Sequence, residues 1–124
     1  MVDRSFPRER RVLRRLEFDA VFGEGRSRAD GLLIVYARPR PEGGPSRLGL
    51  VVGRRFGKAV RRNAWKRMIR EAFRQGREDY PEGHDYVVLP REPETVPELA
   101  AARRSLRRLT RDAVRIYGKR GPKT

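Results

Sequence analysis

Gly53-Arg54-Arg55-Phe56-Gly57-Lys58-Ala59-Val60-Arg61-Arg62-Asn63-Ala64-Trp65-Lys66-Arg67-Met68-Ile69-Arg70-Glu71 is the stretch in which the chain passes from strand-like to helix-like sequence. On a helical wheel Trp65, Met68, Ile69, Ala72 and Phe73 share one stripe, while Asn63, Lys66, Arg67, Arg70, Arg74 and Arg77 lie opposite. The pattern predicts an amphipathic helix over 62–77, weakened in its last turn by Gly76, with Gly53 to Val60 as a basic loop leading into it. Upstream lies a β-prone run, Leu48–Val52. Downstream, after a turn at Tyr80-Pro81-Glu82-Gly83, a short apolar run from Asp85 to Leu89 closes at Pro90 and reads as a buried strand. A strand–helix–strand unit at the centre predicts an α+β fold with a mixed sheet.

Working outward, Leu32–Ala37 is a second β-prone run. Between it and Leu48–Val52 lies Arg38–Ser46, rich in proline and glycine, so the two runs are expected to form a hairpin with a long connection. Residues 14–24 carry Leu16, Phe18, Val21 and Phe22. The four-residue spacing of the two phenylalanines predicts a short helix ended by Gly23 and Gly25. Residues 91–97 read as a loop, and Pro97 suits the first turn of a last helix. There Leu99, Ala102, Leu106, Leu109, Ala113 and Ile116 recur at alternating three and four, and Gly118 is expected to stop it. The predicted order is helix, strands, helix, strand, helix in a single domain spanning 1–124. Residues 1–11 read as a flexible basic arm and 118–124 as a basic tail.

The charge narrows the partner. Thirty-one Lys and Arg face sixteen Asp and Glu, a net of +15, and such a surface repels itself unless an anion is present. No apolar run approaches the roughly 20 residues that span a bilayer, and the charged N-terminus is unlike a secretory signal. The absence of cysteine excludes a thiol nucleophile, a disulfide framework and a thiolate zinc site. It fits a reducing compartment, and a cytoplasmic location is expected. Nucleic acid is the first expectation; neither a membrane nor a small-molecule substrate is. Most of the cations are arginine, which grips phosphate bidentately, although codon bias in a GC-rich genome accounts for that ratio equally well. The position of the cations is more informative. Packed at a helix N-terminus they cost about 0.3–1 kcal/mol each, and a phosphate partner reverses that sign. A merely solvated face mixes signs, whereas Glu71 is the only acid between residues 54 and 77. The candidate residues for contact with RNA or DNA are Arg54, Arg55, Lys58, Arg61, Arg62, Asn63, Lys66, Arg67, Arg70 and Arg74.

The run Gly57-Lys58-Ala59-Val60, then Arg62-Asn63, Lys66-Arg67 and Arg70-Glu71-Ala72-Phe73, resembles the signature segment of the bacterial ribonuclease P protein family. Phe18, Val21, Phe22 and Gly25, the strand around Tyr36, Arg47 to Val52, Asp85 to Val88 and the last helix fall in matching order, so the resemblance covers roughly residues 10–117. One position departs: the family usually has Arg-Asn-Arg, and here the third residue is Ala64, with Arg61 adding a cation on the other side of Asn63. The RNA contact is expected to persist with a shifted edge. The resemblance implies an α/β sandwich like the second domain of ribosomal protein S5, with a left-handed β–α–β crossover, against the usual hand. It also implies two RNA surfaces. The motif face would dock on a catalytic RNA, and a cleft between the first helix and the sheet would hold the 5′ leader of precursor tRNA. By position Phe18, Phe22 and Tyr36 would line that cleft, with Arg14 and Arg15 nearby. From the residues alone the phenylalanines read first as core.

Protein-based catalysis is not expected. A nuclease needs a metal-binding carboxylate cluster or a general acid–base set. The only histidine, His84, reads as a turn residue, and Asp79, Glu82 and Asp85 form at most a loose acidic patch. Hydrolysis then belongs elsewhere, and the resemblance implies an RNA catalyst whose magnesium ions are held mainly by RNA, with none bound tightly by the protein. Two other readings share the charge: a ribosomal or RNA-chaperone-like binding protein, and a stand-alone metal-dependent ribonuclease.

Overall fold

Side-chain alternation along two central strands decides which helix covers which face of the sheet. The computed structural model describes residues 15–91 and 96–123. The elements are α1 (Arg15–Glu24), β1 (Arg26–Ala29), β2 (Leu33–Pro39), β3 (Arg47–Leu50), a 3-10 turn (Arg54–Phe56), α2 (Ala59–Gln75), a second 3-10 turn (Arg77–Asp79), β4 (His84–Pro90) and α3 (Leu99–Arg120). The sheet runs β1-β2-β4-β3, with β4 antiparallel to β2 and parallel to β3. Successive strand residues point to opposite faces. Leu33, Val35 and Ala37 of β2 and Tyr86 and Val88 of β4 therefore join the main core with Trp65, Ile69 and Phe73 of α2 and Leu106 and Leu109 of α3. Tyr36, Val87 and Leu89 point the other way and meet Phe18, Val21 and Phe22 of α1.

The expected hairpin between the second and third strands does not form. β4 inserts between them, pairing Leu33–Pro39 on one side and Arg47–Leu50 on the other. A proline-rich connector this long does not dictate pairing as a tight turn does, and Tyr86, Val87 and Val88, buried on both faces of the sheet, take the centre. The real partner of β2 on its outer side is β1, Arg26–Ala29, which carries no apolar alternation because it is a half-exposed edge. Asp30 closes that turn: its Oδ1 accepts from the Leu32 and Leu33 amides at 2.8 and 2.9 Å, and its Oδ2 from Ser105 of α3 at 2.6 Å. Partial burial alone raises the Asp30 pKa. The bonds from Ser105, from the Leu33 and Leu32 amides and from Arg108 outweigh it, and the net shift is below the ordinary value.

Two helix ends also differ from expectation. α2 begins at Ala59, so the first residues of the supposed basic loop are a 3-10 turn and its last residues are helical. α3 runs through Gly118 to Arg120, so residues 118–120 are helix and not tail. A glycine inside a helix costs only about 1 kcal/mol; the stop is Gly121, at φ +68°, whose amide closes on the Tyr117 carbonyl. Lys123 then donates to the Glu24 carbonyl, which ties this end to the α1–β1 corner. Gly25 sits at that corner because a Cβ there would lie 2.5 Å from the Val21 carbonyl oxygen and 2.8 Å from that of Ala37. The expected arm, 1–11, lies outside the described residues.

Arg47 joins three elements. Opposite Asp85 in the β3–β4 register, it donates to both carboxylate oxygens at 2.8 Å and also pairs with Glu17 of α1. Paired bonding to Asp85 pushes the guanidinium above its ordinary value. The Asp85 side chain is 2% exposed and that of Arg47 15%, and removing one partner of a buried pair strands the other charge. Asp85→Ala is therefore expected to lose about 3–5 kcal/mol of stability, measured by urea unfolding through Trp65, the only tryptophan. A loss below 1 kcal/mol would show that the pair does not hold β3 to β4. Leu106 of α3 is fully buried, so Leu106→Ala is expected to cost about 2–5 kcal/mol; a change within about 0.5 kcal/mol, the range of surface sites, would contradict its place in the core.

Candidate nucleic-acid interface

The segment between β3 and β4 places its cations on the outside because its apolar residues are taken inward. Phe56 of the 3-10 turn is buried and meets Trp65 edge-on, with ring centroids 5.9 Å apart. Gly57 follows at φ +106°, a conformation that glycine adopts without strain, and it redirects the chain into α2. Trp65, Ile69, Ala72 and Phe73 are buried beneath that helix, as the wheel predicts.

The remaining positions form a cationic ridge. Arg54, Arg55, Lys58, Arg61, Asn63, Arg67 and Arg70 are exposed, and Arg62, Lys66 and Arg74 are half-buried. Lys58 occupies the N-cap of α2 without a side-chain cap, and the first turn holds no acid, which leaves a helix N-terminus facing cations. Arg55 stands 4.7 Å over the Phe56 ring and donates to the Arg91 carbonyl at 2.6 Å. Arg62 reaches the Gly57 carbonyl at 3.2 Å. Arg74 pairs with Glu71, which also accepts from Gln75; these bonds, from Arg74 first, hold the Glu71 carboxyl below its ordinary value. Arg54, Lys58, Lys66, Arg67 and Arg70 make no ion pair among the described residues. Ala64 is half-buried at the flank of the ridge, where it leaves Asn63 and Arg67 open.

The second set of expected residues assembles on the opposite face of the sheet. Phe18, Phe22 and Tyr36 are half-buried around Val21 and Val87, and the Phe22 and Tyr36 rings meet edge-on at 4.9 Å. α1 is braced there by Glu24 to Arg38 at 2.7 Å and Glu17 to Arg47. Arg15 is the first residue of α1, and Arg14 lies outside the described residues. Both readings of the phenylalanines meet here, since each packs against the sheet and keeps part of its ring open.

The acidic patch does not assemble. Asp85 is consumed by Arg47, while the Asp79 carbonyl receives Arg111 at 3.2 Å. His84 stacks on Tyr86, with Nδ1 2.8 Å from the Glu82 carbonyl. Among the described residues no group of three or more His, Cys, Asp or Glu is placed to hold a metal ion, and no helix is long and apolar enough to cross a membrane.

A small α+β domain with a one-signed cationic ridge on one side and open aromatic faces on the other defines a nucleic-acid-binding protein. Comparison with known proteins narrows the class. The profile of the Ribonuclease P family matches residues 6–114. The ribonuclease P protein component of Geobacillus kaustophilus is 40% identical over 96 residues, 77% of this chain and 79% of that one. That of Thermotoga maritima is 45% identical over 87 residues, 70% and 74% of the two chains. The solved ribonuclease P protein of Thermotoga maritima superposes with a TM-score of 0.70 at 39% identity, covering 77% of this chain and 90% of that one. A Staphylococcus aureus counterpart gives 0.68 at 28% identity, covering 86% and 93%. The chain belongs to the bacterial ribonuclease P protein family.

The ridge generates a salt test. Each phosphate contact contributes about 0.7–0.9 to the slope of log affinity against log salt, so Arg62→Ala, Lys66→Ala and Arg70→Ala together should flatten that slope for RNA by about 2–3. Titration over a range of salt concentrations, read by filter binding, checks this. Wild-type affinity and slope in the triple variant would remove the ridge from the interface.

Proposed function

We propose that this chain is the protein subunit of ribonuclease P, binding a catalytic RNA through the ridge of α2 and the 5′ leader of precursor tRNA through the α1 face. The carrying observation is that Arg54, Lys58, Lys66, Arg67 and Arg70, on one ridge, make no ion pair among the described residues. A fold maintained for itself pairs such charges; a phosphate backbone supplies the missing anions. The chemistry then belongs to the RNA partner, with magnesium held mainly by RNA, and the protein contributes binding and orientation. The α1 face supports the leader assignment, because single-stranded RNA is bound by aromatic platforms with cations nearby.

Reconstitution tests the first half. Cleavage of precursor tRNA at the mature 5′ end is expected only from protein plus cognate RNA at low magnesium, and not from the protein alone. Cleavage by the isolated protein would favour a stand-alone ribonuclease. Unimpaired cleavage by the RNA alone under the same conditions, with no protein–RNA complex, would return the chain to general RNA binding. The leader site makes a separate prediction. Stacking one base is worth about 1–3 kcal/mol, so Phe18→Ala or Tyr36→Ala holoenzymes should bind precursor about ten-fold more weakly or worse, ten-fold being about 1.4 kcal/mol. Mature tRNA, lacking the leader, should bind as before. Equal losses for both substrates, or a collapsed thermal melt, would assign these rings to the core.

A further inference from the structure

β1 is an edge strand, and alternation sends its arginines to one side of the sheet and its serine to the other. Ser27 stands opposite Tyr36 in the β1–β2 register, on the aromatic face that α1 covers. Arg26 and Arg28 stand opposite Ala37 and Val35, on the side of the main core where α3 packs. There β1 and the end of α3 border a hollow of about 210 Å³, walled by Arg26, Ser27, Arg28, Ile116, Arg120 and Lys123. The hollow and the half-open rings of Phe22 and Tyr36 thus lie on the two sides of one edge strand.

The walls carry four cations and neither an acid nor an aromatic ring. Arg26 is committed within the fold: its Nε donates to the Gly121 carbonyl at 2.9 Å and a terminal nitrogen to that of Pro122 at 3.2 Å. These bonds hold the turn after α3 against β1. Arg28, Arg120 and Lys123 are exposed, and their side chains make no hydrogen bond or ion pair among the described residues. The Lys123 amide is bonded to the Glu24 carbonyl at 2.8 Å, so the fold sets this cation beside β1. A basic residue in the last turn suits the negative end of a helix, which accounts for Arg120. It accounts neither for Arg28 on the strand nor for Lys123 beyond the glycine stop.

Three open cations around a hollow without a stacking platform suit backbone phosphates and not bases. Position decides whose phosphates these are. The sheet runs β1-β2-β4-β3, and the cationic ridge leaves from β3 through the 3-10 turn into α2. The hollow lies at the opposite edge, beside the aromatic face. A leader is joined to its tRNA at the bond that the catalytic RNA cuts, and the ridge holds that RNA at the β3 side. A leader that enters the α1 face from there and crosses it leaves over β1. We infer that Arg28, Arg120 and Lys123 hold phosphates of the 5′ leader of precursor tRNA, upstream of the nucleotides that stack on the α1 face. The inference rests on the leader-binding reading of that face and lengthens the site across the sheet edge.

The test titrates reconstituted holoenzyme with precursors whose leaders lengthen one nucleotide at a time. Wild type should gain affinity in two stages, first when the leader covers the aromatic face and again when it reaches the hollow, the second stage whatever the leader's sequence. R28Q/R120Q/K123Q should lose the second stage alone. With the longest leader its salt slope should flatten by up to about 2, at about 0.7 for each single-stranded phosphate contact. The single variants R28Q and K123Q, both at exposed positions, should each flatten it by about 0.7, so the result does not depend on the triple variant folding. Binding of mature tRNA and assembly with the catalytic RNA should stay at wild type. Wild-type affinity and slope with the longest leader would overturn the inference. An equal loss with mature tRNA, or a loss in assembly, would also overturn it, because the hollow would then hold another RNA. Y36A is titrated alongside. If it weakens precursor binding while R28Q/R120Q/K123Q does not, only the hollow fails; if neither variant separates precursor from mature tRNA, the leader reading fails with it.

Discussion

The bidentate pair between Arg47 and Asp85 is the contact from which the rest of the arrangement follows. It fastens β3 beside β4 in parallel register, and parallel neighbours cannot be joined by a tight turn. The chain between them must therefore cross over the sheet, and that crossover is α2 with its cationic ridge. The same guanidinium reaches Glu17, so α1 is braced against the opposite face by the same residue. A buried pair of this kind adds little net stability over apolar packing but specifies register. Register is what this sheet needs, because slipping a strand by one residue exchanges its faces.

Bases outnumber acids 31 to 16 in this chain, and several of the acids serve the fold. Asp85 and Glu17 hold Arg47, Glu24 holds Arg38, and Asp30 ties the β1–β2 turn to α3. With these carboxylates committed at the sheet, the outer faces of α2 and α3 are left with cations in large excess. Stability and binding thus divide the charges between them. The net +15 is concentrated where a polyanion could neutralise it, and the self-repulsion of the free protein is the cost of that placement.

The sheet also separates two kinds of surface. Alternation along β2 and β4 sends Val35, Tyr86 and Val88 toward α2 and α3 and Tyr36, Val87 and Leu89 toward α1. The cationic ridge and the half-open aromatic rings consequently lie on opposite sides of a thin domain. A ligand on one does not obstruct the other, and a change on one face need not disturb the other so long as the sheet is intact.

Much of this is legible in local sequence. The wheel of α2 shows which side is buried, because a helix face depends only on residues three and four apart, and the one-signed run from Arg54 to Arg70 marks the interface by charge alone. The apolar spacing of α3 shows its inward stripe, and Asp85 to Leu89 shows a strand buried on both faces. What the sequence could not express is who pairs with whom. β1 is invisible because an exposed edge needs no apolar alternation. The false hairpin arises because adjacency in sequence favours pairing unless a later strand competes better, and β4, buried on both sides, does. The partners of Arg47, and the bond from Ser105 of α3 to Asp30, depend on contacts between residues far apart in the chain. The sequence by itself determined the three helices, the central strands, their buried faces and the sign of the surface; only the tertiary structure decided the edge strand β1, strand order, which acids are consumed, and therefore which cations remain open to a partner, because long-range pairing is a competition among segments that no local pattern records.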